Sequence, residues 1–267
     1  MKLEGRVAWV TGGNSGIGGA TTRALVKEGV KVLITAQSDE KGLAMVRELG
    51  EDNVMWYKAS NTERSELAAA AKAAVERWGR LDMLFNSAGG GGAATKFLTD
   101  DPAELESAVE AFEYGIRLNT FGSFYAAQIA ANYIKRNEPD ENGERGGIIF
   151  VASMAADKVW SFFDEKVADT SFAYGYGCSK SSILGLSRDL AVTLGHHGIR
   201  VNTIKPGYIV TPMTGALQGV EKLIWPPMQL FPKVGGQPEN IASMAIEIFK
   251  NPFINRTQMQ VDGGVVG

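Results

Sequence analysis

Short apolar runs alternate with longer amphipathic patterns along the chain, and this alternation constrains the fold more than any other feature. The short runs are apolar on both faces, which is typical of parallel strands covered by helices. We expect strands at 6–11, 31–35, 53–58, 81–86, 147–153, 199–205 and 257–262. We expect helices at 17–28, 39–49, 63–78, 102–136, 176–195 and 238–250. The order predicts an α/β fold, a doubly wound three-layer structure with about seven parallel strands.

Composition allows one domain of this class over residues 1–267 and argues against other kinds of protein. The chain has 267 residues, 45% of them apolar and 21% charged, and no linker divides it. A net charge of −3 provides no basic excess for nucleic acid, and no apolar run is long enough for a membrane span. Cys178 is the single cysteine, which fits a reducing compartment, and we expect a cytoplasmic protein.

A glycine-rich stretch, VTGGNSGIGGA at residues 10–20, joins the first strand to the first helix. Gly12, Gly16 and Gly18 allow a tight turn and a close approach of the backbone to a pyrophosphate. The N-terminus of the following helix offers free N–H groups and the positive end of a dipole. A plain turn is the alternative, but this position in a Rossmann fold predicts a dinucleotide-binding loop.

The end of the second strand, ITAQSDEKG, bears on the choice of dinucleotide. An acidic residue there binds the ribose 2′-hydroxyl of NAD, and its absence accommodates the 2′-phosphate of NADP. Gln37 and Ser38 stand at this point and carry no charge, so NADP(H) is favoured over NAD(H). Asp39 could bind the ribose, but we expect it to cap a helix that begins at Glu40.

The segment AYGYGCSK at residues 173–180 places Tyr176 and Lys180 on one face of a helix, because each helical residue turns about 100°. An ammonium about 4 Å from a phenol would lower the phenol pKa by about 2 to 3 units. The pair makes Tyr176, rather than Tyr174, the candidate for proton chemistry. On this segment alone, an aromatic core residue at the start of an amphipathic helix is the favoured interpretation.

Five motifs stand in the order found in single-domain short-chain dehydrogenase/reductases, which the chain resembles over its length. They are TGGNSGIG at 11–18, NSAG at 86–89, Ser153 at the end of the fifth strand, YGCSK at 176–180 and PGYIVT at 206–211. Two further segments, 136–153 and 251–264, are similar to type-2 3-hydroxyacyl-CoA dehydrogenases, which also act on hydroxysteroids. The resemblance implies hydride transfer between a nicotinamide cofactor and a secondary alcohol or ketone.

The resemblance also implies the roles of individual residues. Tyr176 would be the general acid and base, and Lys180 would support it and bond the nicotinamide ribose. Ser153 would orient the substrate oxygen. Asn119 would disturb its helix and hold a water that links Lys180 to solvent, or would only brace the structure. The implied cofactor contacts are Gly12, Asn14, Ser15, Gly16, Ile17, Gly18, Gln37, Ser38, Ser60, Asn61, Asn86, Ala88, Gly89, Tyr176, Lys180, Pro206, Gly207, Ile209 and Thr211.

The chain departs from the family pattern in two places. Ser60 and Asn61 stand where the family often has an aspartate that bonds adenine, so we expect a weaker or backbone-based adenine contact. The spacing from Ser153 to Tyr176 is longer than is usual in the family. The extra residues, 156–175, predict a substrate loop near 154–175, beside a second substrate loop at 207–236. The large apolar residues of these loops suit a bulky substrate, or a core or subunit interface: Trp160, Phe162, Phe163, Trp225, Met228 and Phe231.

Other assignments concern assembly and competing functions. The helices at 102–136 and 176–195 are candidates for pairing in a homodimer or homotetramer, as in the resembled family. His196 and His197 are expected at a surface helix end rather than in a metal site, and Cys178 is expected in packing. A same-fold enzyme with non-redox chemistry, dehydration or cyclisation, and a cofactor-binding protein without turnover remain alternatives.

Overall fold

The computed structural model describes residues 1–91, 95–158, 174–217 and 229–266. Within these residues, seven strands form one parallel sheet in the order β3-β2-β1-β4-β5-β6-β7. The strands are β1 (Val7–Thr11), β2 (Lys31–Ala36), β3 (Val54–Lys58), β4 (Met83–Asn86), β5 (Gly146–Val151), β6 (Ile199–Pro206) and β7 (Gln258–Val261). This confirms the predicted fold class.

Helices cover both faces of the sheet. They are α1 (Gly16–Lys27), α2 (Asp39–Leu49), α3 (Arg64–Trp78), α4 (Pro102–Gly115), α5 (Gly122–Ile134), α6 (Tyr174–Gly195) and α7 (Pro238–Lys250). Alternate residues of each strand enter two separate cores, as the pleat requires. Trp9 and Phe150 pack with α3, α5 and α6, while Val10 and Ile149 pack with α1 and α7. Within the described ranges, no helix is both long and apolar enough to cross a membrane.

The single helix predicted at 102–136 is interrupted. A π-helical turn, Ile116–Phe121, separates α4 from α5, which ends at Ile134. Such a turn leaves backbone carbonyls without their usual helical partners, and two side-chain amides donate hydrogen bonds to these carbonyls. Asn119 Nδ2 donates to the carbonyl of Gly115 at 3.0 Å, and Asn61 Nδ2 donates to that of Leu118 at 2.9 Å. Apolar periodicity does not report these bonds, so the prediction of one continuous helix was wrong. The local disturbance at Asn119 that the family resemblance implies is present.

Two predicted boundaries next to the site also differ. β5 ends at Val151, so Ser153 does not end the strand but caps a short 3₁₀ turn, Met154–Ala156. The helix predicted to begin at Tyr176 begins two residues earlier, which is an ordinary difference at a helix end. Both changes leave the motif residues at the carboxyl edge of the sheet, where open α/β folds bind ligands.

Candidate active site

A cleft of about 400 Å³ opens at the carboxyl ends of β1 and β4, where the strand order reverses direction. Its floor is tied together by side chains at these strand ends. Thr11 Oγ1 donates to Asn86 Oδ1 at 3.1 Å and accepts from the N–H of Ala88 at 3.0 Å. Asn86 is buried beneath the floor of the cleft, and its Nδ2 donates to the carbonyl oxygen of Ser123. Asn86 therefore supports the part of the floor that Ala88 forms.

The glycine loop forms one end of the cleft. Gly12 and Gly16 have φ of +66° and +51°, backbone conformations that side chains disfavour. A Cβ on Gly18 would overlap the carbonyl of Gly12 and lie 2.6 Å from Ser87 Oγ. These glycines therefore let the loop fold closely onto the start of α1.

The N-terminus of α1 faces the same space. Ser15 caps the helix in an extended conformation, its side chain makes no capping bond, and the first turn carries no acidic residue. Asn14, Ser15 and Ile17 line the cleft beside the glycines. The first backbone N–H groups of α1 and its positive dipole end are thus available to an anion, which is what a pyrophosphate requires.

The far end of the glycine loop meets the end of β2, where Thr35, Ala36 and Gln37 line the cleft. Gln37 Nε2 donates to Ser60 Oγ at 3.3 Å. Ser38 lies beside the cleft and caps α2, accepting from the N–H of Lys41 at 3.4 Å.

Asp39 does not cap α2, and this prediction was wrong. The helix begins at Asp39 itself, so the preceding residue is the cap. The Asp39 carboxylate instead accepts from Lys58 Nζ at 2.7 Å and from Trp56 Nε1 at 3.4 Å.

Of the described residues that line the cleft, Lys180 alone carries a charged side chain, so no carboxylate there would repel a dinucleotide phosphate.

Ser60 and Asn61 follow β3 and are placed differently. Asn61 lines the cleft, whereas Ser60 supports it through Gln37 and through Glu66, whose carboxylate accepts the Ser60 N–H at 2.7 Å. Asn61 is 7% exposed, and its Oδ1 is buried with no hydrogen-bond partner among the described residues. A Cβ on Gly122 would overlap the Asn61 side chain, so α5 approaches this residue closely.

Ser153, Tyr176 and Lys180 meet on the opposite wall of the cleft. The Ser153 and Tyr176 side chains are hydrogen-bonded. Lys180 is buried, its Nζ donates to the Val151 carbonyl at 2.9 Å, and it lies 5.7 Å from the centroid of the Tyr176 ring. The 176 and 180 side chains therefore share one helix face and one cavity, as their spacing predicts.

The pKa values of this pair do not follow the sequence expectation. Burial raises the pKa of the Tyr176 phenol above 10.0, and the hydrogen bond from Ser153 opposes this only partly. Burial also lowers the pKa of Lys180 from 10.5 to about 8. Desolvation disfavours charge on both groups. The expected lowering of the phenol pKa by Lys180 is thus wrong for the chain by itself.

The Asn119 side chain is directed at protein groups. Its Nδ2 donates to Gly90 O at 2.8 Å and Ser179 Oγ at 3.0 Å as well as to Gly115, and its Oδ1 accepts from the Gly90 N–H at 3.0 Å. These bonds brace the loop after β4 against the π-helical turn and α6. The water link to Lys180 stays a prediction.

Small residues after β4 admit these contacts. A Cβ on Gly89 would lie 2.5 Å from Asn119 Oδ1 and 3.1 Å from Lys180 Nζ. Only glycine leaves this space clear.

The loop after β6 closes the cleft from above. The cleft is lined there by Pro206, Gly207, Ile209 and Thr211. The Thr211 methyl group lies 3.4 Å from the point that a Cβ added to Gly16 would occupy. The segment after β6 is therefore folded over the N-terminus of α1.

Tyr114 and Leu118 line the cleft and were missed by the sequence analysis, whereas Pro212 and Met213 line it within the predicted substrate loop at 207–236. Tyr114 and Leu118 precede or flank Asn119 on the interrupted helix, and their spacing of four was the available signal. Phe231, expected in a substrate pocket, a core or a subunit interface, is 80% exposed, which excludes a core formed by the described residues. Cys178 was expected in packing but is exposed, so that expectation was wrong. Trp160, Phe162, Phe163, Trp225 and Met228 lie outside the described residues.

Comparison with known proteins agrees with this geometry. The family model for short chain dehydrogenases matches residues 6–221. The chain is 32% identical over 263 residues to 3-hydroxyacyl-CoA dehydrogenase type-2 of Drosophila melanogaster, covering 98% of each protein. It therefore belongs to the short-chain dehydrogenase family, which confirms the predicted family and its oxidoreductase class.

Solved structures show the same likeness. 3-Hydroxyacyl-CoA dehydrogenase type-2 from Mycobacterium avium is 32% identical, with a TM-score of 0.86 over 99% of this chain and 98% of that one. A short chain dehydrogenase from Burkholderia cenocepacia, solved in complex with NADP, is 26% identical, with a TM-score of 0.81 over 99% of both chains.

Proposed function

We propose that this protein is an NADP(H)-dependent oxidoreductase that interconverts a secondary alcohol and a ketone on a bulky, apolar substrate. The observation that carries the proposal is the meeting of Ser153, Tyr176 and Lys180 on one wall of a cleft whose far end is a glycine-lined helix N-terminus. Binding and proton transfer are thereby provided in one cavity.

The residues present fit a nicotinamide dinucleotide. The glycine loop packs so closely at Gly12 and Gly18 that a Cβ would meet neighbouring backbone, and the start of α1 offers uncapped N–H groups to the pyrophosphate. Gln37 and Asn61 would border the adenosine, and Ile209 and Thr211 would border the nicotinamide. When bound, the cofactor would exchange a hydride with the substrate carbon.

Tyr176 would handle the proton at the substrate oxygen. Because burial raises the pKa of its phenol, the hydroxyl is protonated at neutral pH, the state needed to donate to a carbonyl oxygen during reduction. Ser153, which lines the same wall as Tyr176, would turn its hydroxyl to donate to that oxygen.

Lys180 would replace the proton that Tyr176 gives up. The pKa of its buried ammonium is about 8, which is close to neutral pH, so Lys180 can lose a proton at modest cost. In the reverse direction the same groups would carry the proton from the alcohol outward. Asn119, by holding the loop after β4, would be a positioning residue for Lys180.

The walls of the cleft above the catalytic group are apolar. Tyr114, Leu118, Pro212 and Met213 line them, and Met213 is 65% exposed at the rim. A hydrocarbon substrate would cover these side chains and gain about 25 cal/mol per Å² of apolar surface buried. Segments 154–175 and 207–236 would complete the substrate side.

Assembly into a homodimer or homotetramer is also proposed. Five apolar side chains along α4, the π-helical turn and the start of α5 are between 40% and 52% exposed: Leu105, Val109, Phe112, Phe121 and Phe124. Sedimentation should show an oligomer that Phe112→Glu weakens and Leu43→Glu, at the 47% exposed Leu43 on α2, does not. A cytoplasmic location is part of the same proposal, on the ground of the single cysteine.

The test is turnover of a panel of ketones, secondary alcohols, hydroxysteroids and hydroxyacyl thioesters with each nicotinamide cofactor, followed by absorbance of the reduced ring. We expect turnover that Tyr176→Phe lowers by about 10²- to 10⁴-fold while cofactor affinity is retained. Cofactor binding without any redox turnover would instead favour non-redox chemistry or a binding protein. Full turnover by Tyr176→Phe would refute the catalytic assignment.

A further inference from the structure

An ion pair stands beside the adenosine end of the cleft, between Asp39 and Lys58. Asp39 is the first residue of α2, and Lys58 is the last residue of β3, paired in register with Ala36 at the end of β2. Lys58 Nζ lies 2.7 Å from Asp39 Oδ2, and Trp56 Nε1 lies 3.4 Å from Oδ1. Both carboxylate oxygens are therefore engaged on the side of β3.

A carboxylate in this region has a direct effect on cofactor choice. In a dinucleotide fold, an acid near the end of the second strand binds the ribose 2′-hydroxyl and repels a 2′-phosphate. Asp39 is the first acidic residue after β2, three positions beyond Ala36. The hydrogen bond from Lys58 lowers the pKa of Asp39, so the group is ionised and its charge is matched by the neighbouring ammonium.

The pair has little to do with the stability of the fold. The side chains of Lys58 and Asp39 are 63% and 53% exposed, and ion pairs this open to solvent contribute little to stability. Lys58 pairs in register with Ala36 and precedes Ala59, and both of these residues line the cleft, so its charge borders that end of the site.

We propose that Lys58 determines the cofactor preference of this protein: its ammonium holds the Asp39 carboxylate away from the ribose and supplies positive charge for a 2′-phosphate. The inference rests on the proposed function, because it requires a nicotinamide dinucleotide in the cleft. Lys58 replaces, from the neighbouring strand, the basic residue that the end of β2 lacks.

Dissociation constants of NADP⁺ and NAD⁺ test this directly, by calorimetric titration of the full-length protein without substrate. Lys58→Met removes the cation and frees the carboxylate, so we expect NADP⁺ to bind about tenfold more weakly and NAD⁺ to change less than about twofold. Asp39→Asn should strengthen NADP⁺ binding by about two- to fivefold. Both effects should shrink as salt is raised.

The chain offers a matched control in Lys72→Met. Lys72 pairs with Glu76 at 3.5 Å on α3, and the two side chains are 69% and 65% exposed, close to the values for the tested pair. This variant should leave both dissociation constants unchanged. Circular dichroism of each variant checks that the fold is retained, and Asp39→Asn tests the same pair from its other side.

The outcomes separate this inference from the function on which it rests. If the wild-type protein binds neither dinucleotide, the proposed function fails and this inference fails with it. If both dinucleotides bind and Lys58→Met leaves their affinity ratio unchanged, or weakens both equally, only the role of Lys58 is overturned. A ratio that moves in Lys72→Met as well would also overturn it.

Discussion

The two ends of the cleft are held by different kinds of contact. At the phosphate end, one contiguous stretch from Gly12 to Gly18 provides the surface, mainly through its backbone. At the catalytic end, Ser153 and Lys180 come from separate elements, and Asn119 links Gly90 to Ser179, the residue before Lys180, through side-chain bonds. The phosphate end depends on glycines that leave space for close backbone packing. The catalytic end depends on buried polar side chains that need hydrogen-bond partners. Substitutions should therefore fail differently at each end.

Ser153→Ala should have the largest effect among four further tests. It removes the hydroxyl that bonds Tyr176 and accepts the Ala155 N–H at 3.1 Å. We expect kcat to fall about 10²- to 10³-fold with cofactor affinity unchanged, measured by steady-state kinetics and titration. Ser243→Ala, which removes an exposed hydroxyl bonded to Asn240 O, is the control and should keep full activity. Near-normal turnover in Ser153→Ala would exclude a role for this hydroxyl in the reaction.

Lys180→Met tests the cost of burying charge at the catalytic end. Burial lowers the pKa of Lys180 from 10.5 to about 8, so between these values the unfolded chain binds the extra proton and wild-type stability rises with pH. The free energy of unfolding of the variant minus that of wild type should fall by up to about 3 kcal/mol across this window. The Tyr176 contribution is present in both proteins and cancels in the difference.

Denaturant titrations of both proteins at intervals across that window provide the measurement. A difference that stays constant with pH would mean that Lys180 is not desolvated in the folded protein.

Gly18→Ala tests the phosphate end. The added methyl group would meet the Gly12 carbonyl and Ser87 Oγ, and such overpacking costs about 1–3 kcal/mol. Cofactor affinity should fall by about tenfold or more, because the cradle must open to admit the methyl group. Gly195→Ala, at an α6 position with nothing within 4 Å of its Cβ, should change stability by less than about 1 kcal/mol. Equal affinities for the two variants would contradict the close packing of the loop.

Asn61→Ala should have the smallest effect, although this residue connects the two ends of the cleft. It loses the 2.9 Å bond to the Leu118 carbonyl, worth about 0.5–1.5 kcal/mol. It also removes the buried Oδ1 that has no partner in the described part of the chain, which offsets part of this loss. We expect a net change below about 1 kcal/mol in thermal unfolding. A loss of several kcal/mol would show that the amide is a main support of the π-helical turn.

The predictability of the site follows the same division. The glycine loop and the Tyr176–Lys180 pair are local patterns, and spacing alone places their members on one turn or one helix face. Asn61 was taken for a position of weak adenine contact, and its bond to the π-helical turn was missed. That bond joins residues 57 positions apart, and no periodicity reports such a contact.

The amino-acid sequence by itself determined the strand and helix order, the parallel sheet, the phosphate cradle and the pairing of Tyr176 with Lys180. These follow from side-chain period and from backbone freedom, which act between neighbouring residues. Only the tertiary structure decided which side chains bond the freed carbonyls at the break near Asn119, the Asp39–Lys58 pair and the raised pKa of the Tyr176 phenol. Each of these depends on which distant groups meet and on how much water they exclude.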